Sequence, residues 1–197
     1  MPHSKAGATI AEERKARELV LLGRTRRGDR AAFSELYRLY QPRLYGYLRR
    51  LMANPAAVEE VLDDVMFVVW KDARRFRGNS AVSSWIFGIA YRKALTAMRT
   101  EGRYQAPLDR NTDASTVAGA PERQAEWIQA ALMQLSADHR QVVELTYFGG
   151  FTYREIAEIA DCPVNTVKTR MFHARRRLKV LLPALAGQVK EVTRERA

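Results

Sequence analysis

The segment from residue 151 to residue 179 constrains the fold of this chain more than any other. Its sequence is FTYREIAEIADCPVNTVKTRMFHARRRLK. Thr152 and Glu155 have the Thr-x-x-Glu spacing of a capping box, which opens a helix by pairing side chains with free backbone N–H groups. Pro163 disfavours helical backbone at the preceding residue, so this helix must end in a short turn. Asn165 can then cap a second helix. The pattern predicts two helices joined by a tight turn.

The second of these helices carries charge of one sign. Residues 164–179 include six Lys or Arg and no Asp or Glu. Val167, Met171, Ala174 and Leu178 recur at helical spacing and predict the buried face. A short helix, a tight turn and a basic second helix are typical of the helix-turn-helix that enters the major groove of DNA. The alternative is an ordinary helical hairpin with a solvated basic face.

The polar face of the second helix supplies the candidates for contact with duplex DNA. Polar side chains near its start can reach base edges, while arginines further along hold phosphates. The candidates are Thr166, Lys168, Thr169, Arg170, His173, Arg176 and Arg177.

Helical periodicity extends over most of the remaining chain. Apolar residues recur at three- and four-residue steps through residues 31–100, and helical patterns resume at residue 122. Residues 101–121 are rich in Pro, Gly, Asp, Asn, Ser and Thr, which predicts a flexible linker. No stretch has a strand pattern. The predicted fold class is therefore all-α, with two small helical domains at 28–100 and 122–182.

The charge of the chain predicts a polyanionic partner. Lys and Arg total 33 against 22 Asp and Glu, for a net charge of +11. Nucleic acid is the usual partner of so basic a protein, although a merely basic soluble protein is the alternative. Cys162 is the single cysteine, which excludes an internal disulfide and a cysteine-based zinc site. The three histidines are far apart in sequence, so no metal ion or other cofactor is predicted.

The sequence also predicts a location. No apolar run approaches the roughly 18 residues of a membrane span. The segment MPHSKAGATIAEERKAR at the start lacks the apolar core of a signal peptide. We therefore expect no membrane insertion and a cytoplasmic protein.

Four acidic residues share one helix of this otherwise basic chain. Asn54 and Pro55 resemble a helix N-cap with proline just inside the helix. The acidic residues that follow are Glu59, Glu60, Asp63 and Asp64. Like charges at i,i+4 cost an isolated helix roughly 0.2–0.5 kcal/mol per pair, partly recovered near the helix N-terminus. A solvated acidic face and a docking surface for a basic partner both fit this pattern.

An aromatic residue and two arginines recur at seven-residue spacing in the next helix. Trp85, Arg92 and Arg99 therefore share one stripe, opposite the apolar one. Rings stack on unpaired bases and guanidinium groups hold phosphates, so the stripe suits single-stranded DNA. A core tryptophan beside two solvated arginines is the alternative.

Two long stretches resemble conserved regions of the sigma-70 family of RNA polymerase sigma factors. GDRAAFSELYRLYQPRLYGYLRRL and EEVLDDVMFVVWKDARRFRGNSAVSSWIFGIAYRKAL resemble the second region, and LSADHRQVVELTYFGGFTYREIAEIADCPVNTVKTRMFHARRRL resembles the fourth. The acidic helix ending in Trp70, the Phe76-Arg77-Gly78 break and the helix-turn-helix occur in the family's order. The chain has no room for the first and third regions, which indicates the extracytoplasmic-function (ECF) group.

The resemblance implies a sigma factor that binds core RNA polymerase and directs promoter-specific transcription initiation. The first domain would be region 2 and the second region 4. The acidic helix would meet the clamp helices of the β′ subunit, with apolar contact from Phe67 and Trp70. The partners implied are core polymerase through its β′ and β subunits, promoter DNA, and an anti-sigma factor that restrains activity.

The resemblance also implies where each promoter element binds. Asn79 and Ser80 would line a pocket for bases flipped out of the −10 element. The other residues implied at that element are Trp85, Arg92, Lys93 and Arg99, with Lys93 standing where relatives often carry Asn. Region 4 would read the −35 element as duplex through Lys168, Thr169, Phe172 and His173, while Arg170, Arg175 and Arg176 would contact mainly its backbone.

Two rival functions remain open from the sequence. A helix-turn-helix regulator that never recruits polymerase would leave the acidic helix unexplained. An enzyme acting on nucleic acid would need a carboxylate–histidine constellation or metal spacing, and the sequence has neither. It also has no phosphate-cradling glycine loop. We therefore predict that the chain is not an enzyme and has no catalytic residue.

Overall fold

The computed structural model describes the backbone of residues 3–52, 54–100 and 120–195, and the side chains of residues 12–52, 54–100 and 127–183. All regular structure within these ranges is helical, which confirms the predicted fold class. A 3₁₀ turn at Ala73–Arg75 separates the third and fourth helices. The α-helices are α1 (His3–Thr25), α2 (Arg30–Leu51), α3 (Pro55–Asp72), α4 (Val82–Thr100), α5 (Ala120–Met133), α6 (Ala137–Tyr147), α7 (Tyr153–Ala160) and α8 (Val164–Glu195).

Two predicted helix starts are confirmed by their hydrogen bonds. The side chain of Asn54 accepts from the backbone N–H of Ala56 at 3.1 Å, and Pro55 is the first residue of α3. Thr152 and Glu155 form the reciprocal capping box at the start of α7. Pro42, which has no N–H to donate, lies inside α2 without dividing it.

The turn of the helix-turn-helix lies at residues 161–163 as predicted, but the predicted cap of its second helix is wrong. Asp161 ends α7 in the left-handed conformation at φ 49°, and the N–H of Cys162 returns to the carbonyl of Ala157. The carbonyl of Pro163 accepts from Thr166 and Val167, so α8 begins at Val164. Asn165 therefore lies within the first turn and is not the cap.

Helix α1 was not predicted, and it belongs to the core of α1–α4, the first helical unit. Leu21 and Leu22 are buried, and α1 packs along α2. Glu18 is only 1% exposed and accepts from Arg43 of α2 at 3.2 Å. A buried ion pair of this kind interrupts the apolar pattern that would otherwise reveal the helix.

The first helical unit and the second, which comprises α5–α8, share one continuous hydrophobic core. Phe87 of α4 lies between Tyr47 of α2 and Phe151 before α7, with ring centroids at 5.2 and 4.9 Å. Most of the predicted linker at 101–121 lies outside the described residues, and α5 already begins at Ala120. The division into domains there stays a prediction. None of the described helices combines the length and apolar character that crossing a membrane requires.

Candidate nucleic-acid and protein interfaces

The acidic face of α3 is open to solvent. Valines of the opposite face, such as Val58 and Val65, are fully buried and fix the rotation of the helix. All four predicted acidic residues therefore point outward, and Phe67 on the same side is 62% exposed. We call Glu59, Glu60, Asp63, Asp64 and Phe67 the acidic face.

Members of the acidic face differ in their local partners. Asp63 accepts a hydrogen bond from the hydroxyl of Tyr37 at 3.3 Å. Asp64 accepts from Lys93 of α4 at 2.8 Å, which joins a predicted polymerase-binding residue to a predicted −10 residue. Glu59 and Glu60 form no ion pair with described residues, so their charges are available to a partner.

Trp70 lies apart from the acidic face. Its ring is half-buried and meets the ring of Phe33 edge-on at 5.1 Å. This contact holds the end of α3 against the start of α2. The tryptophan therefore supports the helix from beneath, while Phe67 is the aromatic side chain presented to solvent.

An open groove of about 440 Å³ lies between α3 and α4. Its apolar part is formed by Val68, Trp85 and Ile89. Its charged part is formed by Arg92, Lys93 and Arg75, the last paired with Asp72 of the same lining at 3.4 Å. Three predicted −10 residues thus share one concavity, where an apolar surface can take a base and adjacent cations a phosphate.

The loop before α4 carries the other predicted −10 residues. Gly78 adopts φ 76°, a conformation that favours glycine, and it turns the chain towards α4. Asn79 that follows is exposed and Ser80 is half-buried. Phe76 packs on Trp85 with ring centroids 5.4 Å apart, which ties the loop to the groove. Arg99 lies one turn from the groove near the end of α4 and is exposed.

The outer face of α8 is basic and accessible. Val167, Met171 and Ala174 are buried, which turns the predicted −35 residues outward. The side chains that are exposed are Lys168, Thr169, Phe172, His173 and Arg176. Thr166 is half-buried. On such a face the exposed aromatic side chain can contact apolar groups of a DNA groove, and the positive side chains can contact its phosphates.

Arg170 differs from the other predicted −35 residues because an acid neutralises it. Its guanidinium donates to Asp138 of α6 at 2.6 Å. Arg175 donates to the hydroxyl of Tyr147 at 2.9 Å. The cations of α8 without an ion pair among the described residues are therefore concentrated at Lys168 and from Arg175 onward.

His173 stacks on a second imidazole. The rings of His173 and His139 are 6.1 Å apart at an interplanar angle of 29°. Partial burial lowers the pKa of His139 below its ordinary value, and His173 lowers it further. A positive charge on His139 would lie partly buried and close to Arg170, so His139 favours the neutral state.

A buried polar network joins α2 and α6, and sequence reasoning missed it. Arg140 is 8% exposed and donates to the carbonyls of Leu132 and Leu51 at 2.9 and 2.8 Å. Its other donors reach the carbonyls of Met133 and Leu135. The fully buried Glu144 accepts from Arg50 of α2. Arg140 thereby caps the C-terminal ends of α5 and α2 together.

The described side chains bring together no three His, Cys, Asp or Glu residues that could hold one metal ion. What they form is one acidic surface, on α3, and two surfaces that carry cations, at the groove of α4 and on the outer face of α8. The acidic face can bind a basic protein surface. The groove of α4 and the outer face of α8 can each bind nucleic acid.

Comparison with known proteins finds two sigma-70 regions along the chain, in the order that the sequence motifs predict. The family model for sigma-70 region 2 matches residues 36–104, and that for sigma-70 region 4 matches residues 125–178. The RNA polymerase sigma-H factor of Pseudomonas aeruginosa is 30% identical over 181 residues, covering 84% of this chain and 94% of the relative. The ECF RNA polymerase sigma factor SigK of Mycobacterium tuberculosis is 30% identical over 171 residues, covering 81% and 90%.

Solved structures resemble the fold over most of its length. The sigma factor RpoE of Bartonella quintana, in complex with the anti-sigma factor NepR, is 27% identical with a TM-score of 0.64. The match covers 77% of this chain and 96% of that one. CnrH in complex with the cytosolic domain of CnrY has a TM-score of 0.68 at 21% identity, covering 85% and 98%, and is similar in fold.

Proposed function

Because the chain belongs to the ECF group of the sigma-70 family, we propose that its function is divided among three surfaces. The chain is a sigma factor that directs promoter-specific transcription. The acidic face binds the clamp helices of the β′ subunit of core RNA polymerase. The groove of α4 binds the unpaired strand of the −10 element, and the outer face of α8 reads the −35 element as duplex.

The separation of charge is the observation that carries this proposal. Four carboxylates lie exposed on α3 of a chain with net charge +11. A surface intended for DNA would exclude such a cluster, since like charges repel phosphates. A basic protein surface would be attracted to it, which favours recruitment of polymerase over a helix-turn-helix regulator that acts alone.

The proposed −10 site rests on the chemistry of the groove. Trp85 and Ile89 offer an apolar surface to a base, and Arg92 and Lys93 offer charge to the adjoining phosphates. Trapping unpaired bases lowers the free energy of the open duplex, so recognition and melting occur together. We infer that the chain catalyses no reaction of its own and works in the cytoplasm with polymerase.

An anti-sigma factor is the second protein partner that we propose. The relative from Bartonella quintana was solved with such a factor bound. A protein of this kind would restrain activity by covering the polymerase- and DNA-binding surfaces.

A paired charge reversal tests the proposed polymerase surface. Glu59→Lys/Glu60→Lys should abolish co-purification with core polymerase, because both carboxylates are exposed and the change inverts the charge of the face. Glu12→Lys/Glu13→Lys makes the same charge change at two exposed residues of α1 and should leave binding intact. Equal binding by both variants would exclude the acidic face as the docking surface.

Transcription in vitro tests the whole function. Core polymerase supplied with the chain should initiate from a distinct subset of a promoter library. Core polymerase alone should not initiate from that subset. An identical output with and without the chain would contradict the proposal.

A further inference from the structure

The ion pair between Asp64 and Lys93 lies where the acidic face meets the groove of α4. Asp64, Val68 and Asp72 follow one another at four-residue spacing and therefore lie along one face of α3. Val68 and Asp72 line the groove. The facing stripe of α4 consists of Trp85, Ile89 and Lys93. Asp64 continues the α3 stripe to the ammonium group of Lys93, 2.8 Å away, so the pair lies at one end of the groove.

Carboxylates of α3 neutralise two of the three cations that line the groove. Asp64 pairs with Lys93, and Asp72 pairs with Arg75. The third cation, Arg92, is exposed. The two pairs differ in what surrounds the carboxylate, because Asp72 lies within the groove whereas Asp64 belongs to the acidic face. Of the two, the Asp64–Lys93 pair alone connects the surface proposed for polymerase with the surface proposed for DNA.

Competing ions can reach both members of this pair. The side chains of Lys93 and Asp64 are 39% and 53% exposed. Ion pairs with this much contact with water are weak, so either member can exchange its partner at little cost. A DNA phosphate competes with Asp64 for Lys93, and a basic side chain of polymerase competes with Lys93 for Asp64. Because the two competitors act on opposite members of one pair, each favours the binding of the other.

The hydrophobic core, rather than this ion pair, holds α3 against α4. Val65 and Val69 of α3 and Ile86 and Ala90 of α4 are fully buried. An exposed ion pair contributes little to stability beside such contacts. Removing the carboxylate of Asp64 should therefore change the charge of the groove without moving either helix, and its effect on DNA binding can be measured in a folded chain.

We propose that Asp64 is a positioning residue for the −10 site and acts through Lys93. The inference rests on the proposed function of the acidic face and of the groove. In the free chain Asp64 neutralises Lys93 at the end of the groove. When a basic side chain of polymerase pairs with Asp64, Lys93 is released to a phosphate of the unpaired strand. Occupation of the acidic face thereby adds one cation to the DNA-binding groove.

Binding of single-stranded DNA by the free chain tests the competition. Asp64→Asn releases Lys93, so the affinity for a labelled mixed-sequence oligonucleotide of about ten nucleotides should rise about two- to fivefold. The slope of log affinity against log salt should steepen by about 0.7. Asp64→Glu keeps a carboxylate within reach of Lys93 and should restore the wild-type slope. Glu13→Gln makes the same charge change at an exposed residue of α1 and should leave the slope unchanged.

A double-mutant cycle with Lys93→Gln separates the ion pair from the general negative field of the acidic face. In the Lys93→Gln background, Asp64→Asn should steepen the slope no further, because the cation that it would release is gone. Circular dichroism should give equal helical content for all variants. Equal steepening in both backgrounds would mean that Asp64 acts through its field alone, and the proposal would fall. It would also fall if Asp64→Asn steepened the slope no more than Glu13→Gln.

Saturating core polymerase should remove the effect of Asp64. In the holoenzyme polymerase already holds Asp64, so the wild type and Asp64→Asn should bind promoter DNA from the library with equal salt slopes. By reciprocity, the oligonucleotide should raise the affinity of the wild-type chain for core polymerase about two- to fivefold, but not that of Lys93→Gln. A steeper slope for the Asp64→Asn holoenzyme would overturn the link between the two surfaces and leave each surface intact. A wild-type holoenzyme that recognises no promoter would overturn the proposed function itself.

Discussion

Tyr91 of α4 and Arg170 of α8 share one hydrogen-bond acceptor, the carboxylate of Asp138, at 2.7 and 2.6 Å. This single side chain therefore connects the helix of the proposed −10 site to the helix of the proposed −35 site. It also neutralises a cation on α8 that the resemblance to sigma factors assigns to the DNA backbone.

Asp138→Asn should strengthen binding of α8 to duplex DNA. Releasing Arg170 from its acid adds one phosphate contact, so the slope of log affinity against log salt should steepen by about 0.9. Fluorescence anisotropy on a −35 duplex over a salt series measures this slope. Asp161→Asn in the turn makes the same charge change, and asparagine tolerates the left-handed conformation there. A weaker or unchanged slope for Asp138→Asn would mean that Arg170 does not reach DNA.

Arg140→Met should lower the free energy of unfolding by about 3 kcal/mol, because several buried carbonyls lose their donor. Burial lowers the pKa of Arg140 to about 10, which still leaves the side chain charged at neutral pH. Urea unfolding followed by circular dichroism gives the difference. Arg154→Met removes an exposed arginine of α7 and should change stability by less than about 0.5 kcal/mol. Similar losses for both variants would contradict the capping role.

The all-α fold was predictable because most helices bury residues at regular spacing. The capping box of Thr152 and Glu155 and the cap at Asn54 depend on residues three positions apart or fewer, so the sequence alone reveals them. The predicted cap at Asn165 places the start of α8 two residues too late, because the carbonyl of Pro163 accepts the first helical bonds. Cap preference alone does not report which of two nearby residues will do so.

The packing of α2 against α6 was not predictable from periodicity. Gln141 and Glu144 are buried polar residues that a helical pattern assigns to solvent. The i,i+4 pair of Arg140 and Glu144 was the available signal, but it is equally typical of a solvated helix face. Residues of α2 and α6 meet only through tertiary packing, which local rules do not describe. The roles of the exposed acidic and basic residues stay predictions for the same reason.

Lys93→Gln should reduce the salt dependence of promoter binding. Lys93 lies in the groove of the proposed −10 site and pairs with Asp64 of the acidic face, which polymerase bound to that face would draw away from it in the holoenzyme. Losing one phosphate contact there should reduce the salt slope by about 0.7 for a single strand. Filter binding of the reconstituted holoenzyme to promoter DNA over a salt series measures the slope. Arg38→Gln removes one exposed charge from α2 and should leave the slope unchanged. A slope for Lys93→Gln equal to that of the wild type would exclude a phosphate contact at this residue.

His139 should make the stability of the chain depend on pH near neutrality. Partial burial, His173 and Arg170 hold its pKa below the ordinary 6.5, and Asp138 opposes the shift. As the pH falls, His139 therefore takes up its proton at a higher pH in the unfolded chain than in the folded chain. This contribution to stability is complete above pH 6.5, declines as the pH falls through 6.5, and levels off below the folded-state pKa.

His139→Gln should flatten that dependence, because it removes the titrating group. Urea unfolding between about pH 7.5 and pH 5.5 measures it as the difference in slope between variant and wild type. His173→Gln retains the burial of His139 and removes only the neighbouring imidazole, so it should flatten the curve less. If His139→Gln loses stability with falling pH as steeply as the wild type, then another group causes the pH dependence of stability and His139 does not.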